Sequence, residues 1–300
     1  MIKTTRQLKD KINNMSDGNP QKAQTLFRNY IMERFLERIS LSEYKRNFIL
    51  KGGMLVASLV GMNLRATMDV DTTVRSIPLT LDDAQEIVNE IIAIKTDDNV
   101  AFEIKSAEEI MEEHDYPGIR LKLEAQFENS RQTIKLDIST GDVITPEAVE
   151  YEYPLMFEDR TVSLYSYNIE TLLAEKLETI MARGETNTRM RDFYDIYVIS
   201  QNETIDFEDL HNAFVATCKA RNTDYLVPQI YDIFDSLVES ESMIKNWDNY
   251  KNNNFYVDEL SWQEAINKSI ELVDSIVTDE LLFENDNPND DEEEGFEITM

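Results

Sequence analysis

Cysteine and histidine are nearly absent from this 300-residue chain, and basic residues are outnumbered two to one by acidic ones. The single cysteine, Cys218, excludes an internal disulfide and supplies no paired-cysteine metal motif. Two histidines, His114 and His211, are too few for a histidine-based zinc centre or a histidine-dependent triad. No apolar run approaches the ~18–20 residues that a membrane-spanning helix needs. Residues 1–10 hold no apolar segment of the signal-peptide type, so a soluble cytoplasmic protein is expected. With 29 Lys and Arg against 59 Asp and Glu, the net charge is −30. A chain this acidic repels nucleic acid at long range. Part of that charge is local. From Phe283 onward, Glu284, Asp286, Asp290, Asp291, Glu292, Glu293, Glu294 and Glu297 stand without a basic residue, which leaves about −22 for the rest. Residues 283–300 therefore read as a solvated, disordered tail.

Against these absences, one stretch carries chemistry. Lys51-Gly52-Gly53 follows a strand-like run, 47–50, and opens a short helix, 54–60, closed by Gly61. A glycine pair lets backbone approach phosphate closely at a helix start, where the dipole favours anions. A second strand-like run, 66–74, contains Asp69 and Asp71. Side chains alternate in a strand, so both carboxylates share a face while Val70 turns inward. Two carboxylates on one face make an oxygen-rich site suited to Mg²⁺. The plainer reading is a tight turn followed by a polar strand.

A third carboxylate stands in a matching setting. Residues 119–127 alternate apolar side chains, a polar turn follows at 128–131, and a second alternating run carries Ile134, Leu136 and Ile138. This is a hairpin pattern. Asp137 sits on the face opposite the isoleucines, one strand away from Asp69 and Asp71 if the sheet closes as expected.

Further along, residues 169–183 have helical periodicity through Leu172, Leu173, Leu177, Ile180 and Met181. Lys176 is four residues from both Leu172 and Ile180, so it interrupts the apolar face. It is either a snorkelling lysine or an ammonium aimed into a cleft to bind a triphosphate. Gly184 ends that helix, and the next carries Asp192 and Asp195, three apart on one face, with Arg191 one turn from Asp195.

The set Lys51-Gly52-Gly53, Arg65-x-Thr67-x-Asp69-x-Asp71, Glu175-Lys176-Leu177 and Arg191-Asp192-Phe-Tyr-Asp195-Ile-Tyr197 resembles the AbiEii/AbiGii toxins of the DNA-polymerase-beta-like nucleotidyltransferase superfamily. The resemblance spans residues 48–197. It implies an α/β (α+β) fold: a mixed-sheet nucleotidyltransferase lobe at residues 1–165, a mainly helical lobe at 166–282 completing the nucleotide site, and the tail. It implies catalytic residues Asp69, Asp71, Asp137, Lys176 and Asp192, with Asp69, Asp71 and Asp137 as metal ligands. Lys51, Gly52, Gly53, Arg65, Thr67 and Lys176 are then the nucleotide-binding set, with Gly52 and Gly53 offering amides and Thr67 lining the pocket. Asp192 ranks ahead of Asp195. The implied activity is Mg²⁺-dependent transfer of a nucleoside monophosphate from an NTP, with GTP as candidate donor, to the 3′ end of tRNA. The implied setting is abortive infection, with a separate antitoxin that need not bind stably. Two alternatives stay open: transfer to a protein or small molecule, which suits the acidic balance better, or a GTP-binding module without transfer. For an RNA acceptor, Lys45, Arg46, Lys51, Arg65, Arg75, Arg183, Arg189 and Arg191 are the expected basic path.

Elsewhere, Asn19-Pro20 starts a long amphipathic helix to about Ser40, with Phe27, Tyr30, Ile31, Phe35 and Ile39 as its stripe. Residues 79–94 read as a helix behind the sheet, and 207–220, 225–239 and 261–282 as helices of the second lobe. The aromatics of that lobe, Trp247, Tyr250, Tyr256 and Trp262 among them, are expected to fill a helical core rather than stack an acceptor base.

Overall fold

The computed structural model describes residues 2–61, 65–77, 79–111, 117–257, 259–278 and 281–282. His114 and the acidic segment 283–300 lie outside the described residues. Helices α1 (Thr5–Ser16) and α2 (Pro20–Leu41) come first, then β1 (Phe48–Lys51), α3 (Gly52–Val60), β2 (Asp69–Val74) and α4 (Leu81–Ala93). Strands β3 (Val100–Met111), β4 (Pro117–Phe127), β5 (Ser130–Thr140), β6 (Val149–Pro154) and β7 (Thr161–Ser166) follow. The rest of the described chain is helical: α5 (Ile169–Arg183), α6 (Met190–Asn202), α7 (Phe207–Ala220), α8 (Ile230–Glu239), α9 (Glu241–Asn253) and α10 (Trp262–Ile276).

The strands form one mixed sheet, ordered β3-β4-β5-β2-β1-β7-β6. Two pairings decide the site. β2 runs parallel to β5, which places Asp71 opposite Asp137, and β1 runs antiparallel to β2, which places Lys51 opposite Asp71. The hairpin expected at 119–138 is β4–β5, closed by Glu128 and Asn129, with Glu128 in the left-handed region at φ 49°. α2 packs against β5 and β7, and α4 against β3 and β4. Apolar residues of alternating strand positions (Leu121, Leu123, Leu136, Ile138) meet Tyr30, Phe35 and Val88 in a single core.

The stripe expected on α2 is present, but charged side chains lie within and beside it. Glu33, Arg34, Glu37 and Arg38 are buried with it. Three of them tolerate burial because they pair, Arg34 with Glu37 at 3.0 Å and Glu158 at 3.2 Å, and Arg38 with Asp98 at 2.7 Å, whereas burial drives Glu33 towards its neutral form. Amphipathicity alone does not foresee this, since the partners arrive from segments 60 to 124 positions away.

Other boundaries also differ from expectation. β2 begins at Asp69 rather than Ala66. The 225–239 helix is interrupted by Pro228, which sits in a 3₁₀ turn at Asp224–Gln229, so the α-helix starts at Ile230. α10 stops at Ile276, and α9, Glu241–Asn253, fills the stretch between the second and third helices expected in this half. In the helical part the aromatics pack on one another: Trp247 on Trp262 at 5.9 Å, Phe193 on Trp262 at 4.9 Å, Tyr194 on Tyr256 at 5.3 Å between ring centres. They are a core, as expected. Tyr225, 63 % exposed, is outside it.

Candidate active site

The local sequence at β1–α3–β2 leaves almost no slack. Gly52 has φ +66°, and a Cβ there would fall 2.2 Å from Asp71 Oδ2. A Cβ on Gly53 would fall 2.7 Å from Thr67 Oγ1 and 3.1 Å from Arg65 Nη2. Glycine is required because the start of α3 lies directly against the carboxylate strand. The Gly53 amide donates to Asp71 Oδ2 at 3.3 Å. That corrects the expectation for this amide: it orients a carboxylate instead of standing open to phosphate. No side chain caps the first turn of α3, whose positive end faces the same space.

Around this junction opens a cleft of about 520 Å³, lined from the sheet by Lys51, Gly52, Gly53, Arg65, Asp69, Asp71, Arg120 and Asp137. From the helical part come Leu172, Glu175, Lys176, Thr179, Arg189, Arg191, Asp192, Asp195 and Arg221, and Ile110 closes the lining. The two groups of predicted residues, one from the sheet and one from α5–α6, thus face a common space. Thr67 is not part of it. It is buried against Gly53, its hydroxyl donating to the Asp69 carbonyl at 3.3 Å, so it supports the turn rather than lining the pocket. Of the expected basic path, Lys51, Arg65, Arg189 and Arg191 reach the cleft, while Lys45, Arg46, Arg75 and Arg183 are not among its lining residues.

The carboxylates are in unequal states. Burial pushes Asp69 above its ordinary value, Lys135 opposes the shift, and Asp71 and Asp137 reinforce it. Its Oδ1 is buried without a hydrogen-bond partner, and the nearest charge on it is Lys135 Nζ at 3.7 Å. Asp137 accepts from Arg120 through both oxygens, at 2.7 and 2.6 Å. Among the described residues no three His, Cys, Asp or Glu side chains are grouped to hold a metal. The orphaned oxygen of Asp69, beside Asp71, fits a hard cation; Asp137 is committed elsewhere in this state.

The helical wall separates the two aspartates that the sequence leaves ambiguous. Asp195 is fully buried and accepts from Arg65 Nε at 2.6 Å and Lys176 Nζ at 2.7 Å. Burial pushes its carboxyl up, and Arg65 and Lys176 overcome this and bring it down to about 2. Asp192 accepts from Lys176 Nζ at 3.0 Å with Oδ1, while its buried Oδ2 has no hydrogen-bond partner and lies 3.8 Å from Arg189 Nε. Asp195 is a clamp, and Asp192 retains binding capacity. Arg65, expected as a phosphate contact, spends its guanidinium on Asp195. Lys51, likewise expected there, places Nζ 2.5 Å from Asp142 Oδ2. Asp142 also accepts from Ser139 and Tyr167; burial raises its carboxyl, but Lys51 and these donors bring it down to about 2.

Arg120, Arg221 and Asp142 are site or supporting residues that the sequence does not single out, and Glu175, quoted in a motif, is given no role there. Arg120 had a signal: the β4–β5 turn sets a register that puts it opposite Asp137. Arg221, at the end of α7, pairs with Glu175 at 3.1 Å and Glu178 at 2.6 Å, and had none at short range.

A strand, a glycine pair opening a helix and paired aspartates on the next strand, faced by a helical Lys–Asp wall, define a nucleotidyltransferase. The chain belongs to the AbiEii family, the nucleotidyltransferase toxins of type IV toxin–antitoxin systems, whose family model matches residues 34–268. Among solved structures it is similar to MenT4, a nucleotidyltransferase toxin of Mycobacterium tuberculosis H37Rv. There the identity is 13 % and the TM-score 0.53, over 90 % of this chain and 99 % of that one. It is also similar to JHP933 from Helicobacter pylori, at 15 % identity and TM-score 0.50, over 84 % of this chain and 91 % of that one. At these identities the likeness is one of fold. No curated protein matches the chain at a significant level. Among the described residues no helix is long and apolar enough to cross a membrane.

Proposed function

We propose that this toxin transfers a nucleoside monophosphate from an NTP, with GTP as candidate donor, to the 3′ end of tRNA and thereby arrests growth. The reaction is in-line: the acceptor hydroxyl oxygen bonds to the α-phosphorus, the bond to the β-phosphate oxygen breaks, and pyrophosphate leaves. The carrying observation is the shared cleft, in which Asp69 and Asp71 on β2 face Lys176 and Asp192 on α5 and α6. A divalent cation such as Mg²⁺, held by Asp69 and Asp71, would supply charge stabilisation at the entering and leaving oxygens. Lys176 is aimed at the cleft by two carboxylates and would steady the triphosphate as a compact charge. Asp137 is the candidate for receiving the hydroxyl proton.

The acidity of the chain counts against an RNA acceptor, but the cleft does not share it. Among its lining residues, seven basic side chains stand beside six acidic ones, against −30 for the whole chain. That local balance supports an anionic substrate. A cytoplasmic setting, an abortive-infection role and a separate antitoxin belong to the same proposal, supported by the toxin–antitoxin family. So does a lobe boundary near residue 165, supported by β7 ending at Ser166 and α5 starting at Ile169. The overall acidity favours one other acceptor class, a protein or small molecule.

Purified protein, Mg²⁺, total bacterial tRNA and each α-labelled NTP in turn test the reading, with Asp69→Ala beside it. Label on tRNA with the native protein alone is the expected result. Label appearing only when cell protein replaces tRNA would move the acceptor to the other class.

A further inference from the structure

The third carboxylate of the cleft is held by a residue that no family motif quoted above contains. Asp137 and Arg120 form a two-point contact, Nε to Oδ1 at 2.7 Å and Nη2 to Oδ2 at 2.6 Å. Matched forks of this kind are the strongest ordinary ionic contacts a carboxylate makes. The register explains how it forms: Arg120 on β4 stands opposite Asp137 on β5, which stands opposite Asp71 on β2. A cation and two carboxylates thus run in one row across three neighbouring strands, and all three line the cleft.

The two partners differ in freedom. The Asp137 side chain is 10 % exposed, while that of Arg120 is 32 % exposed. The carboxylate is short and enclosed by its strand neighbours. The arginine has a long side chain with open space beside it, so it can leave without any shift of backbone.

We propose that Arg120 is an exchangeable latch: it occupies Asp137 while the cleft is empty and releases it when a polyphosphate arrives. This rests on the nucleotidyltransferase reading of the site. While the fork is closed, each Asp137 oxygen already accepts a charged donor, and the guanidinium repels any second cation brought to it. A triphosphate offers Arg120 oxygens of the same fork geometry and more negative charge. Arrival of the anion that must be neutralised therefore frees the carboxylate that helps to neutralise or deprotonate at the same place. With the fork closed, both Asp137 oxygens are taken by Arg120 and neither is open to a metal ion in this state. Arg120 thus acts on the metal site through Asp137 and on the nucleotide directly.

The sign of one measurement separates a latch from a structural strut. Mn²⁺ binding to the full-length protein, followed by electron paramagnetic resonance without nucleotide, should be roughly tenfold tighter in Arg120→Gln than in the native protein, as expected when an ionic lock is removed from a ligand. The gain should vanish in Arg120→Gln combined with Asp137→Asn. Damage to a strut would weaken binding instead. Arg120→Lys keeps the charge but loses the fork, so it should fall between native and Gln, and it carries the test should Gln fail to fold. Unchanged or weaker Mn²⁺ binding in a folded Arg120 variant overturns the latch. If native protein labels tRNA while the variants show no gain, the latch alone fails. If no variant binds Mn²⁺ and no nucleotide is transferred, the latch falls with the reading beneath it.

Discussion

Arg65 and Asp195, 130 positions apart in the chain, meet in a buried ion pair with Nε 2.6 Å from Oδ1. The pair ties the segment before β2 to α6, and Lys176 joins it from α5. The wall of the cleft is therefore also a strut, and its two functions can be separated by substitution.

Asp195→Asn should cost about 3 kcal/mol of stability at neutral pH, because it leaves two buried cations undercompensated. The carboxyl sits at about 2 in the fold against an ordinary 3.8. Its folded value is depressed, so its contribution is complete above about pH 4 and is lost as pH falls through about 2. Urea unfolding at pH 7, 5 and 3 should show the gap between native and variant constant at first and narrower at pH 3. A gap independent of pH would mean that Asp195 stabilises by packing alone.

Glu33 makes the opposite prediction. Burial drives its carboxyl up to about 8, against the pull of Arg34 and the Met156 amide, from an ordinary 4.5. A carboxyl raised in the fold favours folding below pH 4.5, and stability declines as pH rises towards 8. Glu33→Gln keeps an oxygen for the Met156 amide, now at 3.1 Å, and removes the titration. The variant's advantage over native protein should grow from under about 1 kcal/mol at pH 5 to at most about 4 kcal/mol at pH 8 in denaturant unfolding.

Gly52→Ala should be damaging twice over. The added Cβ would overlap the Asp71 carboxylate, and φ +66° is unfavourable for alanine. About 1–3 kcal/mol of stability and most transferase activity should be lost together. Calorimetry and the labelling assay on one preparation check this; full activity would show that the turn can open without moving Asp71.

Asp69→Ala and Lys176→Ala should both abolish toxicity, yet they should part on stability. Asp69 has an unsatisfied buried oxygen, so its removal should cost under about 1 kcal/mol. Lys176 is buried between Asp192 and Asp195, and its removal should cost about 3 kcal/mol. Thermal unfolding of the two variants decides.

That difference marks where the chain was legible. Asp69 and Asp71 could be placed on one face because strand alternation is a local property, whereas Asp137 needed the sheet to close, and β2–β5 pairing brings it opposite Asp71. Lys176 could be placed because it breaks a helical apolar stripe. Asp192 and Asp195 could not be told apart, since residues three apart share a helix face and only a distant partner, Arg65, distinguishes them. Lys51 and Arg65 read as free cations for the same reason: Asp142 and Asp195 lie 91 and 130 positions away. The basic groups that do complete the cleft, Arg120 and Arg221, come from a cross-strand register and from the end of α7.

The lining of the cleft is drawn from Lys51 at one extreme and Arg221 at the other. During synthesis a chain folds from its first residues onward. The β-strand aspartates can thus be in place while the lysine wall is still unmade, and Arg221 joins last. The lining of the cleft is therefore incomplete until about three quarters of the chain has been translated.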